Sequence, residues 1–209
     1  KKPTVVNNVE TLAAVTGILI HGSDKFSSIG NKKSAGTKLV CFDSFFNKPG
    51  VYEIDMCTPM KKIINEIGGG FKEPVKALQI GGPLGGVVPI DIVEKLNLDF
   101  QEFTNAGFML GHGSIVSIPK NFNMVEYIHH LFEFTAEESC GKCFPGRIGS
   151  YRGKEMFDQA LNKSHKIPMK VLNDLLKTMK EGCLCALCGA IPVPISNILK
   201  YFGEEMKSD

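Results

Sequence analysis

Residues 50–70, GVYEIDMCTPMKKIINEIGGG, change hydrophobic period halfway along. In the first part Tyr52, Ile54 and Met56 alternate with Glu53 and Asp55, the two-residue repeat of a half-buried strand. From Thr58 the repeat becomes helical. Thr58 can cap a helix, Pro59 suits its first turn, and Met60, Ile63, Ile64 and Ile67 share one face until Gly68 stops it. Just upstream, TKLVCFDSF (37–45) reads as a second strand joined through the turn signal NKPG (47–50). Downstream, VKALQIGG (75–82) and SIVSIP (114–119) read as two more. Strand, strand, helix, strand in this order is the pattern of a small β-grasp sheet with a helix across it.

On the N-terminal side, TVVNNVETLAAVTGILIHG (4–22) predicts a helix with Asn7 or Asn8 at its N-cap. Leu12, Val15 and Leu19 lie on one face and Gly22 ends it. SDKFSSIGNKKSAG (23–36) is polar and glycine-bearing, the composition of a loop or linker. Beyond Pro119 the texture is helical. NMVEYIHHLFEFTAEES (123–139) puts Val125, Ile128, Leu131 and Phe132 on one face. GSYRGKEMFDQALN (149–162), PMKVLNDLLKTMKEG (168–182) and VPISNILKYFGEEM (193–206) follow as amphipathic segments. Four helices with short connections predict a small bundle. The expected class is therefore α+β, a β-grasp domain followed by a helical bundle. The expected divisions are 1–36 as the tail of a preceding domain plus linker, 37–118 as the β-grasp domain and 119–209 as the helical domain.

A formal charge of +2 with no basic run argues against a nucleic-acid partner. There is no apolar run of membrane-spanning length and no signal-peptide pattern, so direct membrane insertion is not expected. The first residue is not Met, which suggests a piece of a longer chain. GGPLGG (81–86) lacks a Walker Lys-Ser/Thr and the GxGxxG-to-helix context, so it reads as turn chemistry rather than a phosphate loop. His129 and His130 are adjacent in a predicted helix, point in different directions and cannot hold one ion together. No Ser-His-Asp set or spaced carboxylate pair is present.

The cysteines carry the chemistry. Five of the seven fall in two tight groups, CGKC (140–143) and CLCALC (183–188). Such grouping under reducing conditions indicates metal binding rather than a disulfide framework, and both Fe–S clusters and structural zinc take four thiolates. The helix between the groups would return the chain to the same end of a bundle. Gly141, Gly146, Gly182 and Gly189 would let backbone amides approach sulfur, and Lys142 and Arg147 add positive charge. Cys41 and Cys57, in strand-like segments, are expected to be buried small hydrophobes.

With these groups in place, the chain resembles the C-terminal half of the NADH-oxidising flavoprotein subunit of respiratory complex I, and the related subunits of NAD-linked formate dehydrogenases and hydrogenases. The resemblance rests on KPTVVNNVETLAAV, NKPGVYE, GGPLGG, GHGSIV, EESCGKCFPGR and CALCG; GRIGSYRGKEMFD and the GHG at 111–113 lean towards the second branch. It implies the last two domains of an electron-transferring subunit. A 4Fe-4S cluster would take single electrons from FMN, reduced by NADH, and pass them to a partner iron–sulfur subunit. NNVET sits against the flavin in that family, which points to Asn8 and Thr11 here. The FMN and NADH loops are absent, so FMN and NAD are expected only in a complete subunit, and NADH oxidation by this chain alone is not. Other subunits of an NADH dehydrogenase, formate dehydrogenase or hydrogenase complex are the implied partners. A cytoplasmic location is implied, with membrane attachment only through those partners.

The resemblance breaks at one place. The family's motif is C-x2-C-x2-C plus one distant Cys; Cys140, Cys143 and Cys185 match it, but Gly146 occupies the third position. Cys183 and Cys188 are extra. Cys140, Cys143, Cys185 and Cys188 are therefore the expected ligands, with Cys183 the alternative fourth. The competing expectations are a structural zinc module and a scaffold that has lost the cluster and only docks a partner.

Overall fold

A computed structural model describes residues 2–163 and 165–206. The chain opens with α1 (Val9–His21) and α2 (Ser23–Ser27), then β1 (Thr37–Phe42) and β2 (Gly50–Asp55). A short α3 (Met60–Lys62) runs directly into one π-helical turn, Ile63–Ile67. β3 (Val75–Ile80), β4 (Gly86–Pro89), α4 (Ile90–Val93), α5 (Phe100–Asn105) and β5 (Ser114–Pro119) complete the first part. The remainder is α6 (Met124–Glu138), α7 (Phe144–Lys163), α8 (Met169–Gly182), α9 (Ala186–Ala190), α10 (Pro192–Tyr201) and a 3-10 turn, Gly203–Met206. Among the described residues no helix is long and apolar enough to cross a membrane.

The five strands form one mixed sheet in the order β2-β1-β5-β3-β4. β1 and β5 are parallel in the middle, and the other neighbours are antiparallel. The alternation along β3 and β4 assigns their residues to two cores. Leu78, Ile80 and Val88 face the first, with Met60, Ile63 and Ile64 from the helix that crosses the sheet. Ala77 and Val87 face the second, built by α6, α7, α8 and α10 around Phe132, Phe157 and Leu172. A strand covered on both faces has no polar side to show, which is why VVP reads as an uninterrupted apolar run.

Buried polar ties join the helices to the sheet. The Tyr127 hydroxyl donates to Gln79 Oε1. Asn197 Oδ1 accepts from the Val87 N–H at 3.3 Å, and its Nδ2 donates to the Gly107 carbonyl at 3.2 Å. Lys76 pairs with Glu205 at 2.6 Å, and Glu205 accepts from the Met124 N–H at the start of α6.

Several expectations are corrected. The 23–36 segment is not all loop, since Ser23–Ser27 is helical. Thr58 does not cap α3; its hydroxyl donates to the Asp55 carbonyl at 2.7 Å and tightens the preceding turn. GGPLGG is a turn, but it leads into β4, a strand that its short length concealed. Cys41 is exposed on the outer side of β1, and Cys57 lies in a turn at φ 67°, half-buried rather than in a strand core. α1 forms where expected, capped by Asn8 and stopped at Gly22, yet Leu12, Val15 and Leu19 are exposed.

Candidate iron–sulfur site

Both cysteine groups lie at one end of the helical part, and helix termini position them. Cys143 immediately precedes α7. Its carbonyl accepts from the Arg147 N–H at 3.0 Å. The Leu184 and Gly146 amides hold the Cys143 thiol below its usual pKa, the condition a thiolate ligand needs.

The second group is wound differently from expectation. Rather than lying wholly in a loop, Cys183 ends α8 in extended backbone, Cys185 precedes α9 in the same conformation, and Cys188 lies within α9. Cys185 flanks the start of α9 and Cys188 lies within it, three residues on. Cys188 is 2 % exposed, and its thiol contacts Ser139 Oγ at 3.8 Å. Ser139 also accepts from the Gly141 N–H, so it orders the first loop while touching the second group. Sequence reasoning missed Ser139 and the Leu184 amide; the Ser directly before CGKC was the available signal.

Gly146 is where the two groups meet. A Cβ built on it would lie 2.9 Å from Cys143 Sγ and 3.0 Å from Cys188 Sγ. Cys188 thus places its sulfur against the spot from which a side chain at position 146 would project. The charges that bear most on Cys188 are those of Cys185, Cys143 and Cys140, after burial, which pushes its thiol up. For Cys183 they are those of Cys143, Cys188 and Cys185; burial first, then Cys143, push it up to about 12. Cys140 and Cys185 are exposed, as are Lys142 and Arg147 beside them. Among the described residues, no three His, Cys, Asp or Glu side chains converge closely enough to hold one metal ion.

The comparisons with known proteins agree with this chemistry. Residues 126–209 match the family described as NADH-ubiquinone oxidoreductase-F iron-sulfur binding region. This segment is similar to that family's iron–sulfur binding region. The match covers α6 to α10 and both cysteine groups. Beyond the iron–sulfur binding region, the whole chain is homologous to the C-terminal part of larger proteins. It is 34% identical to the NADP-reducing hydrogenase subunit HndC of Solidesulfovibrio fructosivorans, covering 100% of this chain and 43% of that protein. It is 33% identical to an NADH-quinone oxidoreductase subunit of Escherichia coli, covering 99% and 47%. A chain of a crystallised NAD+-reducing [NiFe]-hydrogenase superposes with a TM-score of 0.88 at 25% identity, over 98% of this chain and 35% of that one. The chain therefore spans about half the length, or less, of the relatives it matches.

The other expected residues lie elsewhere. Asn8 Oδ1 accepts from the N–H groups of Glu10 at 2.9 Å and Thr11 at 3.3 Å, so it caps its own helix. Asn8 and Thr11 line a cavity of about 510 Å³ with Lys38, Phe100 and His112, and none of the cysteines borders it. Glu10 ties this helix start to the sheet by pairing with Lys38 and accepting from the Leu39 N–H. His129 faces Asp158 at 2.7 Å and His130 is exposed, so the two histidines share no site.

Proposed function

We propose that this chain is the electron-relay part of an NADH-dehydrogenase-type flavoprotein subunit. It would hold a 4Fe-4S cluster through Cys140, Cys143, Cys185 and Cys188. The position of Cys188 beside the missing Gly146 side chain carries this reading, because a thiol is supplied from α9 at the place where the family's third ligand is lacking. When bound, such a cluster accepts and releases one electron at a time. The chain's own contribution is to bury Cys143 and Cys188, expose Cys140 and Cys185, and hold the Cys143 thiol below its usual pKa through the nearby Leu184 and Gly146 amides. Those amides and the nearby Lys142 and Arg147 offset negative charge at the site and favour its reduced state.

The zinc alternative is less well supported. A tetrahedral zinc site draws four sulfurs to about 2.3 Å from one point, and the described residues show no such convergence. The strand order with a parallel central pair, and the helix packed across the sheet, support reading 37–118 as a β-grasp domain. The core of α6, α7, α8 and α10 supports reading 119–209 as a bundle. FMN and NAD belong to a complete subunit, in which Asn8 and Thr11 would face the flavin. Partner subunits of a dehydrogenase or hydrogenase complex would take the electrons, in the cytoplasm or on a membrane complex reached through them.

Anaerobic purification with iron and sulfide analysis and an absorption spectrum tests the reading. About four irons and four sulfides per chain are expected, and Cys188→Ser should lose them. A colourless chain that takes up no iron on reconstitution would overturn it, tightly held zinc then pointing to the zinc module and no metal to the docking scaffold.

A further inference from the structure

None of the 13 residues of α1 is buried. Its most covered residues, Glu10, Ala14, Gly17 and Ile18, are only half-buried and fall on one helical stripe. With Ala and Gly at its centre that stripe fills little space, and cavities of about 440 and 510 Å³ are both bordered by Glu10 and Ala14. Among the described residues, every hydrogen bond or ion pair from α1 to another element runs through Glu10. Its carboxylate pairs with Lys38 and accepts from the Leu39 N–H at 2.8 Å. Two residues on, the Cys41 N–H donates to the Gly113 carbonyl at 3.4 Å, beside the first β5 residue paired with β1. The Leu39 N–H points the same way, where β1 has no β5 partner. Glu10 therefore satisfies a strand amide that β5 does not reach, and an ammonium at 6 % exposure that burial would otherwise leave unpaired. At the other end of α1, Gly22 takes φ 90° and ψ 152°, and a Cβ there would meet open space. Beyond it α2 is held, with the Phe26 ring lying where a Cβ on Gly36 would meet it at 2.0 Å.

We infer that α1 is an arm hinged at Gly22 and latched to the sheet by Glu10. Its release leaves α2 and the sheet in place. It carries Asn8 and Thr11 away from Lys38, Phe100 and His112, with which they line the larger cavity. The latch thus decides whether that cavity keeps its wall. Such a release is a local opening, reached without unfolding the sheet. The device stands whether or not the cysteines hold a cluster.

Amide hydrogen exchange on the full chain, read on peptides from α1 and β3, tests the latch. Glu10→Ala leaves Lys38 buried and unpaired, so Glu10→Ala combined with Lys38→Met separates loss of the latch from that cost. In both proteins α1 should exchange about tenfold faster than in wild type, because hydrogen bonds to a charged group are lost. In the double variant β3 should keep wild-type protection. Wild-type protection of α1 in the double variant would overturn the inference, since Glu10 would then hold nothing. Loss of β3 protection in step with α1 in that variant would overturn it too, since α1 would belong to the cooperative unit of the sheet. Wild-type α1 exchanging as fast as an unstructured peptide would likewise overturn it, leaving no latch to release.

Discussion

The sulfur of Cys188 lies 3.0 Å from the point where a side chain on Gly146 would begin, with the sulfur of Cys143 2.9 Å from the same point. The gap left by one residue is bordered by the thiol of another, 42 positions along the chain. A Cβ at 146 would press on both sulfurs, so Gly146→Ala should lower iron content below wild type in the anaerobically purified protein. Gly146→Cys combined with Cys188→Ala moves the thiol back to the family's position and should hold more iron than Cys188→Ala alone. Equal iron in those last two proteins would count against the exchange.

Gly153 on α7 packs against Phe132 of α6. A Cβ there would fall 2.2 Å from the Phe132 ring, which is fully buried. Gly153→Ala gains helix propensity but must displace that ring, and overpacking of this kind costs about 1–3 kcal/mol. Urea unfolding should show a lower midpoint with an unchanged slope.

Asn197 on α10 satisfies the Val87 N–H of β4 and the Gly107 carbonyl together, at 7 % exposure. Asn197→Ala leaves a buried donor without its acceptor, a loss of about 1–3 kcal/mol. Hydrogen exchange should report it first at the Val87 amide. Protection there equal to wild type would mean that the bond contributes little.

Asp99 caps α5 while buried. Burial opposes its ionisation, but the Glu102 and Gln101 N–H groups, the Asn31 amide and the Cys57 thiol outweigh it and hold the carboxyl below its ordinary range. A folded-state pKa below the unfolded value contributes stability that is present above the unfolded pKa of about 3.9. That contribution is lost as pH falls from there through the folded value. Asp99→Asn should therefore flatten the fall of stability with acid below about pH 4, measured by thermal unfolding across that range. A slope identical to wild type would show that other carboxylates set it.

Much of the fold was legible locally. The switch of period between Met56 and Met60 marks a strand end and a helix start whatever surrounds them, and Asn8 and Gly22 bound α1 by backbone chemistry alone. β4 was not legible, because four residues buried on both faces carry no alternation. Nor were α2, α4, α5 and α9, which at four to six residues are too short to establish a hydrophobic period. Cys41 was misread because a period-2 pattern does not say which face of the sheet is covered.

By itself, the sequence determined the order of β1, β2, β3, β5 and the long helices, the two cysteine groups, and the glycine where a family ligand should be. These are matters of residue type and spacing, settled within about one turn of backbone. Only the tertiary structure decided which extra thiol borders Gly146. Cys188 and Cys183 differ little in composition or spacing. What separates them is that α9 carries the Cys188 sulfur to Gly146, while Cys183, at the end of α8, packs its Cβ beside Gly189. That choice depends on how α7, α8 and α9 pack, and packing between segments so far apart is not written in any local stretch.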